Sequence, residues 1–204
     1  MDTKTMTNKW DGHQFSKASE AVAAVLESGV DEYMLSAGFT RHRITYTREN
    51  SAGIIQCVAF DVKRFSDNQQ CHFGAIAELR IRGKSKTSLS PSKCPMVLAK
   101  SLGHYWNVLM RSRSNDVGTT ASDVLCDIRK TQHPYEHVTN YEGLICEFAG
   151  SDVGAVRGRL LALWALDRDV ELEELWRTSL QRMLDVRDRK ELEKCGKIIG
   201  LSVD

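Results

Sequence analysis

The chain lacks the segments that would place it in a membrane or export it. Its longest unbroken apolar run is Leu160 to Leu166, whereas a membrane-spanning helix needs about 20 such residues. The polar segment Met1 to Gln14 has no apolar core of the kind that a secretory signal requires. We therefore expect neither membrane insertion nor export.

Paired cysteines are also missing, because no Cys-x-x-Cys occurs among the six. Unpaired, scattered thiols are typical of proteins in a reducing compartment, so we expect a cytoplasmic protein. Cys57, Cys71 and Cys146 fall on apolar stretches, which favours small buried side chains over nucleophiles. A cysteine nucleophile nevertheless stays open, since its histidine and carboxylate partners would meet in space rather than in sequence.

A strong charge of either sign is absent. The 28 Lys and Arg residues balance 27 Asp and Glu residues to a net charge of +1, which argues against a dedicated nucleic-acid-binding protein. With 42% hydrophobic and 27% charged residues, the composition is that of an ordinary globular protein. A chain of 204 residues can bury a self-sufficient core without a metal or disulfide.

Common catalytic motifs are missing as well. The dinucleotide-binding and P-loop glycine patterns, the Gly-x-Ser-x-Gly elbow and His-Glu-x-x-His do not occur, so we predict no cofactor and lean against an enzyme. Gly150, Gly154 and Gly158 are better interpreted as sites of close helix packing. His133 and His137 are four residues apart, but Pro134 favours a turn over a zinc-binding helix, and we predict no metal site.

The hydrophobic spacing predicts an α+β fold. We expect an N-terminal helix over about Ser16 to Ser36, bent or split at Gly29 and ended by Gly38. An antiparallel sheet of three or four strands follows, and the C-terminal helices pack on one face of it. The predicted strands start at Phe39, with Ile44 and Tyr46 on one side, and continue over Ile54–Val62, Cys71–Ile81 and Ser101–Arg113. The predicted helices cover 121–130, 138–149, 153–166, 170–190 and 192–199.

We expect residues 1–14 to be disordered or loosely held and residues 15–204 to form a single domain. Charge is divided unevenly along this domain: Phe39 to Arg113 carries +9 and Ser114 to Asp204 carries −5. The division indicates either two partner-binding surfaces or two halves that attract each other.

Two charged sets are candidate partner-binding sites. Arginines alternate with apolar residues along the predicted strands and would share an exposed face suited to carboxylate or phosphate; they are Arg41, Arg43, Arg80 and Arg82. A helix start carries acidic residues, which either bind a partner or complement the dipole of their own helix; they are Asp169, Glu171, Glu173 and Glu174.

Residues 28–82, chiefly Leu35 to Arg48, Gly53 to Phe60 and the Phe73-Gly74 strand, resemble a bacterial family catalogued only as a domain of unknown function, number 4304 in that series. The resemblance implies an opening helix that ends at Gly-Phe, an arginine-bearing strand and later helices, in a bacterial, cytoplasmic accessory protein. The family has no established activity, so no catalytic residue is implied.

Two functions are compatible with these observations. The first is a non-enzymatic protein-binding module, most specifically an immunity protein that neutralises a cognate bacterial toxin, because both signs of surface charge suit electrostatically steered binding. The second is a small enzyme or ligand sensor that binds an anionic ligand on the arginine-rich sheet face. A homo-oligomer stays open.

A core of this size predicts that folding needs no metal ion. Thermal melts with and without a strong chelator should therefore coincide. A large fall of the melting midpoint on chelation would contradict this prediction and direct attention to His133 and His137.

Overall fold

The structure of the chain, a computed structural model, describes residues 9–10, 12–63, 67–84, 89–112, 116–131, 134–148 and 150–201. It is α+β, with N-terminal helices, then strands, then C-terminal helices, so the predicted fold class is confirmed. The helices are α1 (Ala18–Val25), α2 (Asp31–Ser36), α3 (Asp116–Thr131), α4 (Tyr141–Glu147), α5 (Val153–Ala165), α6 (Asp169–Arg182) and α7 (Val186–Ile199). The strands are β1 (Thr40–His42), β2 (Thr45–Glu49), β3 (Ile54–Val62), β4 (Gln70–Ile81) and β5 (Met96–Leu109).

The N-terminal helix is interrupted where a glycine allows it. A π-helical turn over Leu26–Val30 separates α1 from α2, and Gly29 within it has a φ of 155°, which only glycine adopts without strain. Gly38, at a φ of 82°, follows the end of α2. The predicted break at Gly29 and end at Gly38 are both confirmed.

The prediction of a single first strand is wrong, because the segment forms two short strands, β1 and β2, joined by a turn. Arg43 has a φ of 56° and lies in a tight turn that separates β1 from β2. In the resulting antiparallel pair, Arg41 lies opposite Tyr46, and directly opposed residues share a face of a sheet. The sequence alternation had placed these two residues on opposite faces. The sheet consequently has five strands, in the order β1-β2-β3-β4-β5, instead of three or four.

This pairing brings two side chains onto one carboxylate at the start of α2. Asp31 forms an ion pair with Arg41 and accepts a 2.6 Å hydrogen bond from the Tyr46 hydroxyl. Burial of the Tyr46 ring, and then its bond to Asp31, raise the pKa of the phenol well above its usual value. The phenol therefore stays protonated and acts as a donor that ties the hairpin to α2.

The chain forms two compact units, and a single domain over residues 15–204 stays a prediction. Unit 1 comprises Met1–Arg48, Cys57–Ala77 and Lys100–Pro134, and unit 2 comprises Glu49–Gln56, Glu78–Ala99 and Tyr135–Asp204. Strands β3, β4 and β5 each contribute residues to both units. Within unit 1 the Lys63 amide donates to the His72 carbonyl, and within unit 2 the Arg82 amide donates to the Gly53 carbonyl.

Each unit has its own apolar core. In unit 1 the rings of Phe60, Phe73 and Trp106 lie with centroids 5.7–6.3 Å apart, and side chains of α1 and α3 pack against them. In unit 2, Leu79 and Ile81 of β4 pack with Leu144, Leu160 and Leu192 of the C-terminal helices. The core residues of β4 alternate with more exposed ones in both units, as the period of two predicts.

Two boundaries predicted from the sequence, one of a strand and one of a helix, differ from those in the structure. The fourth predicted strand exists, but β5 begins at Met96 rather than Ser101. The predicted helix over 170–190 is two helices, because Met183 leaves the helical conformation and Asp185 starts α7 by accepting bonds from the Arg187 and Asp188 amides. A side-chain cap of this kind satisfies the free N–H groups of a new helix.

Most of the segment predicted to be disordered, residues 1–8 and 11, lies outside the described residues. Of the remainder, Gln14 forms an antiparallel bridge with Arg111, and the Gly12 amide donates to the Ser112 carbonyl. Across the described ranges, none of the helices has the length and apolar character to cross a membrane.

Gly158 provides a test of the packing in unit 2. A Cβ at this position would overlap the ring of the buried Phe148. Overpacking costs roughly 1–3 kcal/mol, which exceeds the helix propensity that alanine gains, about 1 kcal/mol. The middle of that range, less the gain in propensity, predicts that Gly158→Ala lowers the free energy of unfolding in urea by about 1 kcal/mol. Gly154→Ala in the same helix, whose Cβ would meet only the Asp152 carboxylate, should change it less. Equal stability of Gly158→Ala and the wild type would show that Phe148 does not require the glycine.

Candidate functional site

The predicted arginine site is divided between the two units. In unit 1, Arg41 is occupied by Asp31, and Arg43 is exposed in the turn between β1 and β2. In unit 2, Arg80 and Arg82 lie at the end of β4 and after it. The four residues thus do not assemble into one site within either unit.

Both unit 2 arginines are paired with carboxylates and are mostly buried. Arg80 pairs with Glu78 at 2.7 Å, and Arg82 holds Glu49 in a bidentate pair, with one N–O distance of 2.6 Å. The Arg80 and Arg82 side chains are only 18% and 16% exposed. The bond to Arg82 lowers the pKa of Glu49, and the same bond raises the pKa of Arg82.

The same two arginines also hold the segment that follows β4. Arg80 donates to the Cys94 carbonyl at 2.9 Å, and Arg82 donates to the Leu89 carbonyl at 3.0 Å. The expectation of an exposed arginine face is therefore wrong for Arg41, Arg80 and Arg82. An anionic ligand would have to replace an internal carboxylate at each of them.

The predicted acidic site, in contrast, is exposed. Asp169 and Glu171 lie in the first turn of α6, where they complement the helix dipole. Lys84 contacts Asp167 at 2.6 Å and Asp169 at 3.8 Å, and Arg168 forms a bidentate pair with Glu171, with both distances 2.6 Å. The first part of the acidic set is therefore partly neutralised by its neighbours.

Glu173 and Glu174 differ from these residues. Both are exposed, and within the described part of the chain no ion pair involves either one. We call Asp169, Glu171, Glu173 and Glu174 the acidic surface. Because the carboxylates of Glu173 and Glu174 are not neutralised, this surface keeps a negative field on the N-terminal half of α6.

A groove of about 670 Å³ lies between α6 and α7, from Glu173 of the acidic surface toward the C-terminal end of α6. Its apolar lining consists of Trp176, Leu180, Met183, Leu184 and Leu201, and its other polar or charged lining residues are Arg177, Gln181 and Arg189. We call it the α6–α7 groove. Its volume lies within the range of about 300–1,000 Å³ that is usual for binding pockets.

A close approach of the two helices shapes this groove. The Trp176 ring lies against Gly196 of α7 so closely that a Cβ there would overlap it. Gly200, at a φ of 81°, ends α7, and the Leu201 amide then donates to the Gly196 carbonyl. This turn places Leu201 against the groove.

The segment beside the groove exposes apolar side chains and is basic. Leu184, in the link between the helices, is 93% exposed, and Val186 at the start of α7 is 68% exposed. Residues 177–190 contain five basic and two acidic residues, whereas residues 169–174 contain four acidic and no basic ones. Helix α6 and the turn after it therefore carry opposite charge at their two ends.

The acidic surface was predicted from the sequence, but the groove was not, because the predicted helix over 170–190 has no break at Met183. Asp185 is a residue type that favours a helix start, and it accepts hydrogen bonds from the Arg187 and Asp188 amides. It is the local signal that could have located the second helix.

Two of the buried cysteines, Cys94 and Cys195, are poorly suited to act as nucleophiles. Burial raises the pKa of Cys195 to about 11 and also raises the pKa of Cys94, whereas a reactive thiol needs a lowered pKa. Cys57 and Cys71 are buried as predicted, but the prediction is wrong for Cys146, which lies on an exposed side of α4. Its short helix presents only Leu144 fully to the core.

The predicted histidine pair falls partly outside the described residues, because His133 is not among them. His137 lies 3.0 Å from Glu147 through Nε2. No cluster of three or more metal-ligating side chains occurs where the structure describes them.

No protein-family model, curated protein or solved structure matches this chain. The resemblance drawn from residues 28–82 therefore stays a prediction.

The burial of the thiols predicts a labelling pattern. In the native protein near pH 8, iodoacetamide should modify the exposed Cys126 and Cys146 quickly and leave the four buried cysteines protected. Unfolding in urea should make all six react. Peptide mass spectrometry resolves the sites, and rapid native labelling of Cys94 or Cys195 would contradict the burial described above.

Proposed function

We propose that the protein is a non-enzymatic binding module, most specifically a cytoplasmic bacterial immunity protein that neutralises a cognate toxin. The observation that carries this proposal is the acidic surface on α6, where Glu173 and Glu174 are exposed carboxylates without an ion pair among the described residues. The toxin would present a basic surface to it.

The physical advantage of such a surface is speed. Complementary charge raises association rate constants from about 10⁵–10⁶ M⁻¹s⁻¹ to as much as about 10⁸–10⁹ M⁻¹s⁻¹ at low salt. An immunity protein must capture its toxin before the toxin acts, so selection for fast association is expected. Exposed carboxylates on a rigid helix also lose little conformational freedom on binding.

Neighbouring ion pairs support this role by holding α6 in place. Arg168, which precedes the helix, contacts both Glu171 of α6 and Glu142 of α4. Leu172 and Trp176 bury the opposite side of α6 in the unit 2 core. The acidic surface is therefore presented on an anchored scaffold.

A charge-reversal pair tests the proposal. E173K/E174K should slow association with the toxin encoded beside this gene by about tenfold or more and flatten its salt dependence, because the steering field is removed. Neither residue is in the core, so the melting temperature should change little. Stopped-flow association across a salt series gives the rates.

The matched control is E32K/D123K, which makes the same change in net charge at exposed positions of α2 and α3 in unit 1. It should associate at nearly the wild-type rate. If both variants slowed association equally, the slowing would be due to the change in net charge and not to the acidic surface. Failure of the wild-type chain to protect cells that express the toxin would overturn the proposed function.

A further inference from the structure

The α6–α7 groove and the acidic surface have complementary chemistry. The groove is apolar inside, with Arg177 and Arg189 among its charged side chains. The acidic surface carries Glu173 and Glu174 and, beside them, Val170, which is 81% exposed. One feature thus offers an apolar cavity with cations, and the other offers an apolar side chain with anions.

Both features involve the same helix and share Glu173, with the other acidic residues toward the N-terminal end of α6 and the basic residues toward its C-terminal end. Residues four, three and four apart on an α-helix share one face, and Val170, Glu174, Arg177 and Gln181 have this spacing on α6. Leu172, Trp176 and Ser179, on the opposite side, are the buried residues of the helix. The charged stripe is therefore the solvent face of α6.

A helix with one acidic and one basic end is complementary to itself when it is turned around. In an antiparallel pair of α6 helices with a two-fold axis midway along the helix, Glu174 of each copy faces Arg177 of the other. The axis repeats this pair, which is the pattern of an isologous contact. Val170 then lies opposite Gln181 of the other copy, next to the groove residue Leu180.

We propose that the occupant of the α6–α7 groove is a second copy of this chain. Two copies pair through antiparallel α6 helices, and the acidic surface of each lies against the groove of the other. Exposed Leu184 and Val186 become covered in this contact. The self-association does not depend on the proposed function, although a toxin bound at the acidic surface would exclude the second copy.

A charge swap tests this pairing on the purified full-length chain alone. By sedimentation velocity at low salt, the wild type should shift from monomer to dimer as its concentration rises. R177E opposes carboxylate with carboxylate at both repeats of the Glu174–Arg177 pair, and E174K opposes cation with cation there. Each variant alone should self-associate at least about tenfold more weakly than the wild type.

An equimolar mixture of the two variants should recover the dimer. In the mixed pair, Glu174 of the first variant meets the unchanged Arg177 of the second, and the two reversed side chains meet each other with opposite charge. The control pair D123K and K130E, on the exposed side of α3, should dimerise like the wild type both alone and mixed.

A wild-type chain that stays monomeric at hundreds of micromolar in low salt would overturn the proposal. So would a dimer that persists in both variants, or a mixture that associates no better than its components. None of these results depends on the toxin, so failure of the self-association and failure of the proposed function are distinguishable.

Discussion

Unit 2 depends on one kind of packing contact, in which an aromatic ring lies directly against a glycine. Three such contacts occur, namely Phe148 against Gly158, Trp176 against Gly196 and Trp164 against Gly83. In each, the ring lies so close that a Cβ on the glycine would overlap it. Such contacts let backbones approach closely and leave no room for adjustment. The first joins α5 to the end of α4, the second joins α6 to α7, and the third holds the turn after β4. The position of the α6–α7 groove follows directly from the second contact, because Trp176 is both the ring that meets Gly196 and part of the groove lining.

Much of the fold could be predicted from the sequence, and the errors have identifiable causes. The alternation along Cys71–Ile81 and the glycine in the first helix act locally, so pattern reading found β4 and the break at Gly29. The hairpin at Arg43 was missed because an arginine at positive φ carries no turn signal of the kind that glycine or asparagine provides. The break at Met183 was missed for a similar reason, since the residues on both sides of it continue a helical pattern. Division into two units could not be predicted, because each of the strands β3 to β5 reads as one continuous segment.

The charged side chains of the candidate site could likewise be predicted only in part from the sequence. The acidic surface was visible because its residues are adjacent in sequence and stay exposed after folding. The arginines failed as a site because their partners are distant in sequence or on an unexpected face: Asp31 for Arg41, and Glu49 for Arg82. A count of charges along the chain does not reveal which of them neutralise one another. Here several basic residues of the sheet region form ion pairs with carboxylates of the same chain. What remains available is the solvent side of α6 and the groove beside it.

The binding surface that we propose for this protein lies on α6 and the turn that leads into α7. Amide hydrogen exchange of the wild-type chain, compared at high and low protein concentration, tests that proposal most directly because it locates an interface without altering any residue. Protection should rise with concentration over residues 169–189 and stay constant in α1, α3 and the strands. Unchanged exchange over residues 169–189, or a concentration-dependent change confined to another part of the chain, would contradict it.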